Sequence, residues 1–97
     1  MSKDYKAFAG EVDARAANLF KAAPETMRAY RGLMEAASKD GALDAKTKEL
    51  MALAIGIALR CDGCIAYHTR AAQRHGATRE EVAETIGVAV ELGGGPA

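Results

Sequence analysis

Glu49, Cys61, Cys64 and His68 are the side chains of this sequence whose types and spacing are suited to chemistry. Both cysteines of the chain stand in one Cys61-Asp-Gly-Cys64 unit, and His68 follows four residues on. If Cys61 opens a helix, a rotation of about 100° per residue brings Cys64 and His68 within roughly 60° of it around the axis. Two sulfurs and an imidazole then share one face, with Cys64 and His68 in the i, i+4 relation that lets side chains meet. A thiol at a helix N-terminus meets unpaired backbone N–H groups and the positive end of the helix dipole, and both favour the thiolate. A nearby imidazole can take the proton. Such a set describes a reactive cysteine with a second thiol at hand to form a disulfide with it.

Other readings of the same residues compete with that one. Zinc can take Cys61, Cys64 and His68, but a closed site wants a fourth ligand, and the chain has no second Cys-x-x-Cys. Covalent haem attachment needs a histidine directly after the second cysteine, where Ile65 stands. The two thiols can also be inert, Glu49 can be a solvated residue of a helix's first turn, and His68 a structural histidine. His75, next to Gly76, reads as a helix C-terminal cation or cap, Tyr67 as packing or as lining for a substrate pocket, and Asp62 as a helix cap or a charge opposing thiolate formation.

Glu49 joins the set only if the chain reverses. A straight helix would hold it about 18 Å from Cys61. A break near Leu59 to Gly63, with the two arms antiparallel, places Glu49 opposite the stretch from His68 to Arg70.

The whole sequence bounds what these residues can serve. Its 97 residues predict one domain over residues 1–97 with a single modest core. Thirteen basic and thirteen acidic side chains are interspersed and cancel, so the basic patch of a nucleic-acid binder is missing. The N-terminus is polar, and the apolar run from Leu50 to Leu59 falls far short of the ~20 residues a membrane span needs. No membrane partner is expected and a cytoplasmic location is, and in that reducing compartment a close cysteine pair points to catalysis or metal binding rather than a structural staple.

The positioning elements all read as helical. Tyr5, Phe8, Val12, Ala16, Leu19 and Phe20 mark a first amphipathic helix that stops before Pro24. Met27, Tyr30, Leu33, Met34 and Ala37 mark a second, with Pro24 in its first turn and a loop from Ser38 to Gly41 after it. Asp44 caps a third from about Ala45 to Leu59, whose nearly all-round apolar pattern predicts burial. A fourth runs from near Cys61 to His75-Gly76. Thr78 with Glu81 forms a capping box for a fifth, carrying Val82, Ile86, Ala89 and Val90 up to the Gly93 to Gly95 triplet. Alanine supplies twenty-two of the forty-eight hydrophobic residues, so helices must approach closely, and association with further copies is favoured.

The combination of Glu49, Cys61-Asp-Gly-Cys64 and His68, flanked by Leu43-Asp-Ala-Lys-Thr-Lys-Glu-Leu50, Gly76-Ala-Thr-Arg-Glu-Glu-Val82 and Gly93-Gly-Gly-Pro96, resembles the AhpD-like alkylhydroperoxidases of the carboxymuconolactone decarboxylase superfamily. The Ala22-Ala-Pro24-Glu-Thr-Met27 stretch is similar too. The resemblance implies an all-α AhpD-like domain of about five helices, here ending at Pro96-Ala97 where relatives continue into another helix. It implies a peroxidase that reduces hydroperoxides with no bound cofactor and no metal. Cys64 would be the peroxidatic thiol and Cys61 the resolving, more exposed one, with Glu49 and His68 as the proton relay. The implied partners are a hydroperoxide, an external dithiol such as a lipoylated protein, and further copies of the chain in a trimer or hexamer. Relatives often carry a second histidine inside the Cys-x-x-Cys, where this chain has Gly63. A γ-carboxymuconolactone decarboxylase-like enzyme and a non-enzymatic thiol redox sensor or scaffold are the alternatives, the former not expected to need the cysteine pair.

Overall fold

The computed structural model describes residues 4–93, and they form five helices without a strand among them. By contacts along the chain they fall into two compact units, Met1–Lys39 and Asp40–Ala97. The closing Gly94-Gly95-Pro96 element lies outside the described residues.

The first unit is a helical hairpin. Asp4 caps α1 (Tyr5–Ala22), its carboxylate accepting the N–H groups of Lys6 and Ala7 at 3.1 and 3.2 Å. The helix ends at Ala22, two residues before Pro24, which cannot donate an N–H to continue it and instead starts α2 (Pro24–Ser38) at a position where that N–H would be unpaired anyway. The two helices pack on each other, and the Arg31 guanidinium lies over the Phe20 ring, 5.1 Å from its centroid.

The second unit is built around α3 (Ala45–Ala58), which packs against both α4 (Asp62–Arg74) and α5 (Arg79–Leu92). Asp44 caps α3 by accepting the Thr47 N–H at 2.8 Å, and hydrogen bonds from Thr47 hold its carboxyl below the usual carboxylate range. Asp40 accepts the Ala45 N–H at 2.7 Å. The core is Leu53 among Ala45, Ala66, Ala71, Ala72 and Ala89, so side chains this small let the helix axes approach. The expected all-round burial of α3 is not what the fold delivers. Its buried residues are Ala45, Glu49, Leu53 and Gly56, while Met51, Ile55 and Leu59 are 49, 58 and 71% exposed. Those three recur every fourth residue and form a stripe that its packing with α4 and α5 leaves uncovered.

Both tight connections in this unit end a helix in the same way. At the end of α4 the Gly76 and Ala77 N–H groups return to the carbonyls of Gln73 and Ala72, with Gly76 at φ 85°. At the end of α3 the Arg60 and Cys61 N–H groups return to Ile57 and Gly56, and the left-handed residue is Arg60, at φ 58°. A non-glycine residue there is disfavoured, by on the order of 1 kcal/mol. The capping box of Thr78 and Glu81 opens α5 as the sequence predicts.

An ion pair joins the first turns of α3 and α5, Lys46 Nζ donating to Glu81 Oε2 at 2.8 Å. The Lys46 hydrogen bond lowers the Glu81 carboxyl from its ordinary 4.5, and the same bond raises the Lys46 ammonium from 10.5. The Glu81 contribution is therefore complete above pH 4.5 and is lost as pH falls through the lower folded value. The Lys46 contribution is complete below 10.5 and is lost as pH rises past the higher folded value. Lys46→Met is expected to lower the melting temperature slightly at neutral pH, the pair being about one-third exposed and screened by salt. Melting curves followed by circular dichroism should show the difference closing toward pH 3. A difference that persists there would assign the loss to something other than the pair.

Candidate functional site

Cys61 ends one helix and begins the next. Its N–H donates to the Gly56 carbonyl at 2.9 Å, closing the α3 turn, while its carbonyl accepts the Ile65 N–H at 2.9 Å, opening α4. Its sulfur is the N-cap of α4, accepting the Cys64 N–H at 3.2 Å. The cap is therefore Cys61, and Asp62 occupies the first helical position rather than capping. A sulfur placed on a free N–H at a helix N-terminus is in the setting that favours thiolate.

Cys61 and Cys64 are joined as a disulfide, with Cα atoms 5.2 Å apart, inside the range that such bonds need. Both residues are half-buried.

Glu49 is the buried charged side chain among the described residues, at 6% exposure, and it is not the solvated residue that its position in a helix would ordinarily make it. Its Oε2 lies 2.6 Å from Nδ1 of His68. The antiparallel reversal at Leu59–Cys61 is what brings them together, as the chain reversal inferred from spacing requires. A carboxylate oxygen accepts, so opposite it Nδ1 carries the hydrogen, and whenever the imidazole is neutral its lone pair is on Nε2. His68 stands one turn after Cys64 on α4. The Tyr67 ring meets the His68 ring edge-on with centroids 4.9 Å apart, and the Arg70 guanidinium lies 5.7 Å from the Tyr67 centroid. Tyr67 thus packs beside His68. His75 is the C-cap of α4, as its place before glycine suggests.

The four side chains singled out from the sequence therefore belong to one helix pair and the turn between its arms. Two further residues shape that turn without chemistry of their own. Gly56 sits where α3 meets Cys64, and its trace in the sequence is a lone glycine in a helical run, a position that costs about 1 kcal/mol against alanine and so asks for a packing reason. Arg60 takes a left-handed conformation for which the sequence carries no signal. Among the described residues, no three His, Cys, Asp or Glu side chains are grouped as a metal ion would need. No described helix is long and apolar enough to cross a membrane.

Known proteins resemble this chain in sequence and in fold. The sequence pattern of the carboxymuconolactone decarboxylase family matches residues 24–97. An uncharacterized protein of Cupriavidus necator is 43% identical over 96 residues, which is 99% of this chain and 85% of that protein. Another uncharacterized protein, in the cox locus of Paracoccus denitrificans, is 42% identical over 69 residues, 71% of this chain and 62% of its own length. The crystal structure of an apo carboxymuconolactone decarboxylase family protein from Legionella pneumophila matches with a TM-score of 0.92 at 44% identity, over 98% of this chain and 85% of that one. With the family pattern running from α2 onward and the five-helix order shared with the Legionella protein, this chain belongs to the carboxymuconolactone decarboxylase family.

Proposed function

We propose that the chain is a thiol peroxidase that reduces hydroperoxides through Cys61 and Cys64. The observation that carries this reading is the buried Glu49 carboxylate, 2.6 Å from His68, on the helix pair that also bears the cysteine disulfide. A carboxylate that orients an imidazole one turn from a thiol is a device for moving a proton. The Cys64 thiolate attacks the terminal oxygen of ROOH, the O–O bond breaks, and RO⁻ leaves to take a proton and become ROH. The sulfur is left as a sulfenic acid. The Cys61 thiol then condenses with it, forming the S–S bond and releasing water. An external dithiol returns the pair to two thiols and leaves as a disulfide. His68 takes the thiol proton, and Glu49 keeps the imidazole in the tautomer that can.

In this reading the donor is a dithiol such as a lipoyl group, the setting is the cytoplasm, and the chain works as a trimer or hexamer. The exposed Met51, Ile55 and Leu59 stripe, with Leu33 and Leu92 also exposed, supports association. A decarboxylase reading leaves the cysteine pair without a purpose.

The deciding measurement is peroxide consumption with dihydrolipoamide and with other dithiols. Steady turnover that scales with dithiol is expected. A single stoichiometric oxidation with no turnover under any dithiol would replace the peroxidase by a redox sensor.

A further inference from the structure

Gly56 touches both cysteines, through different atoms. Its carbonyl accepts the Cys61 N–H at 2.9 Å. A Cβ placed on it would lie 2.9 Å from Cys64 Cβ and 3.6 Å from both the Cys64 carbonyl carbon and the Ile65 nitrogen. Carbon atoms in ordinary contact stay about 3.5–4.0 Å apart, so a methyl there would force the first turn of α4 to retreat. That retreat cannot be a uniform slide, because Cys61 remains tied to the Gly56 carbonyl while Cys64 is pushed off.

The same contact bears on the rest of the site. Glu49, Leu53 and Gly56 are buried at i, i+4 and i+7 on one face of α3, and Glu49 meets α4 at His68 as Gly56 meets it at Cys64. About 10 Å separates the two contacts along the axis, so the spacing at one helps set the spacing at the other. An N–H···O bond tolerates little lengthening beyond about 3.2 Å. Propensity alone would favour alanine at this interior position. Gly10, Gly32 and Gly87, also in helices, have nothing within 4 Å of a built Cβ.

We infer that Gly56 is a positioning residue for this site: it sets the separation of the Cys61 and Cys64 sulfurs and the helix spacing at which Glu49 reaches His68. The inference deepens the peroxidase reading and rests on it for its purpose, but its test needs no peroxide. Purified wild type, Gly56→Ala and Gly87→Ala are each equilibrated with dithiothreitol. The reagent supplies two electrons and two protons, the Cys61–Cys64 bond breaks into two thiols, and dithiothreitol closes to its cyclic disulfide.

Gly56→Ala is expected to move the equilibrium about tenfold toward the dithiol, which is about 30 mV for a two-electron couple. In nitrogen-15 NMR its His68 Nδ1–H signal should leave the hydrogen-bonded position. Gly87→Ala should change neither. A folded Gly56→Ala with an unaltered equilibrium and an unaltered His68 signal overturns the inference and leaves Gly56 as packing alone. If Gly56→Ala does not fold, both readouts are taken on it in the Gly87→Ala background, which gains helix propensity. Unfolding in that background as well would overturn the positioning role in favour of a purely structural one. A wild type inert toward every peroxide, with the Gly56→Ala shifts present, would reject the peroxidase and keep Gly56 as the residue that poises the disulfide.

Discussion

Cys64→Ser is expected to abolish peroxide turnover, by on the order of a thousandfold or more, because in the proposed reaction it removes the atom that accepts the peroxide oxygen. Cys61→Ser should fail differently. It keeps the attacking thiol and loses the sulfur that condenses with the sulfenic acid, so one equivalent of peroxide is consumed and the cycle stops. Mass spectrometry after mild peroxide should find Cys64 as a sulfenic acid, moving on to sulfinic acid at higher doses, whereas wild type stops at an intramolecular disulfide. The two variants also decide the order of the cysteines, for which the structure offers each sulfur a different support. Cys61 Sγ receives a backbone N–H at the helix start, and Cys64 has His68 one turn on. If Cys64→Ser retained the single oxidation and Cys61→Ser did not, the helix N-terminus would be the stronger activator and the roles would be exchanged.

The second large effect is expected from the relay. Proton transfer by a positioned side chain contributes about 10²–10⁴-fold, so His68→Asn should cost peroxide turnover in that range and move the pH profile of thiol alkylation to higher pH. Glu49→Gln should impair the same step, since an amide can present either a donor or an acceptor to Nδ1 and no longer selects the tautomer. If the two act as one unit, as the proposed relay requires, the double variant should lose little more than the worse single one. Additive losses would contradict a relay. An unshifted alkylation profile in His68→Asn would leave the helix N-terminus as the activating device. Circular dichroism must accompany these measurements, since Glu49 is buried and its replacement touches the core of the α3–α4 pair.

The helices were legible in the sequence because their signals are local. Asp44, Thr78 with Glu81, Pro24 and Gly76 act on backbone groups within one turn of themselves, and each stands at the helix end it marks. The i, i+4 placement of Cys64 and His68 needs only a helix, and the chain reversal near Leu59 to Gly63 follows once Glu49 and His68 are required to meet. Local pattern misled on α3, where an apolar run read as buried on all sides carries an exposed Met51, Ile55 and Leu59 stripe. Periodicity reports which residues avoid water, and not whether a neighbour arrives to cover them.

From the sequence alone, then, came the helix order, the cysteine pair beside a histidine, and the requirement for a return arm. Tertiary structure alone decided that Glu49 is buried and bonded to His68 Nδ1, that Cys61 caps α4 with its sulfur, and that Arg60 takes a left-handed turn. It also decided that a missing methyl at Gly56 admits Cys64. The physical reason is range: capping and helical spacing act over a few residues, whereas these contacts depend on how closely two helices approach after the chain has turned back on itself.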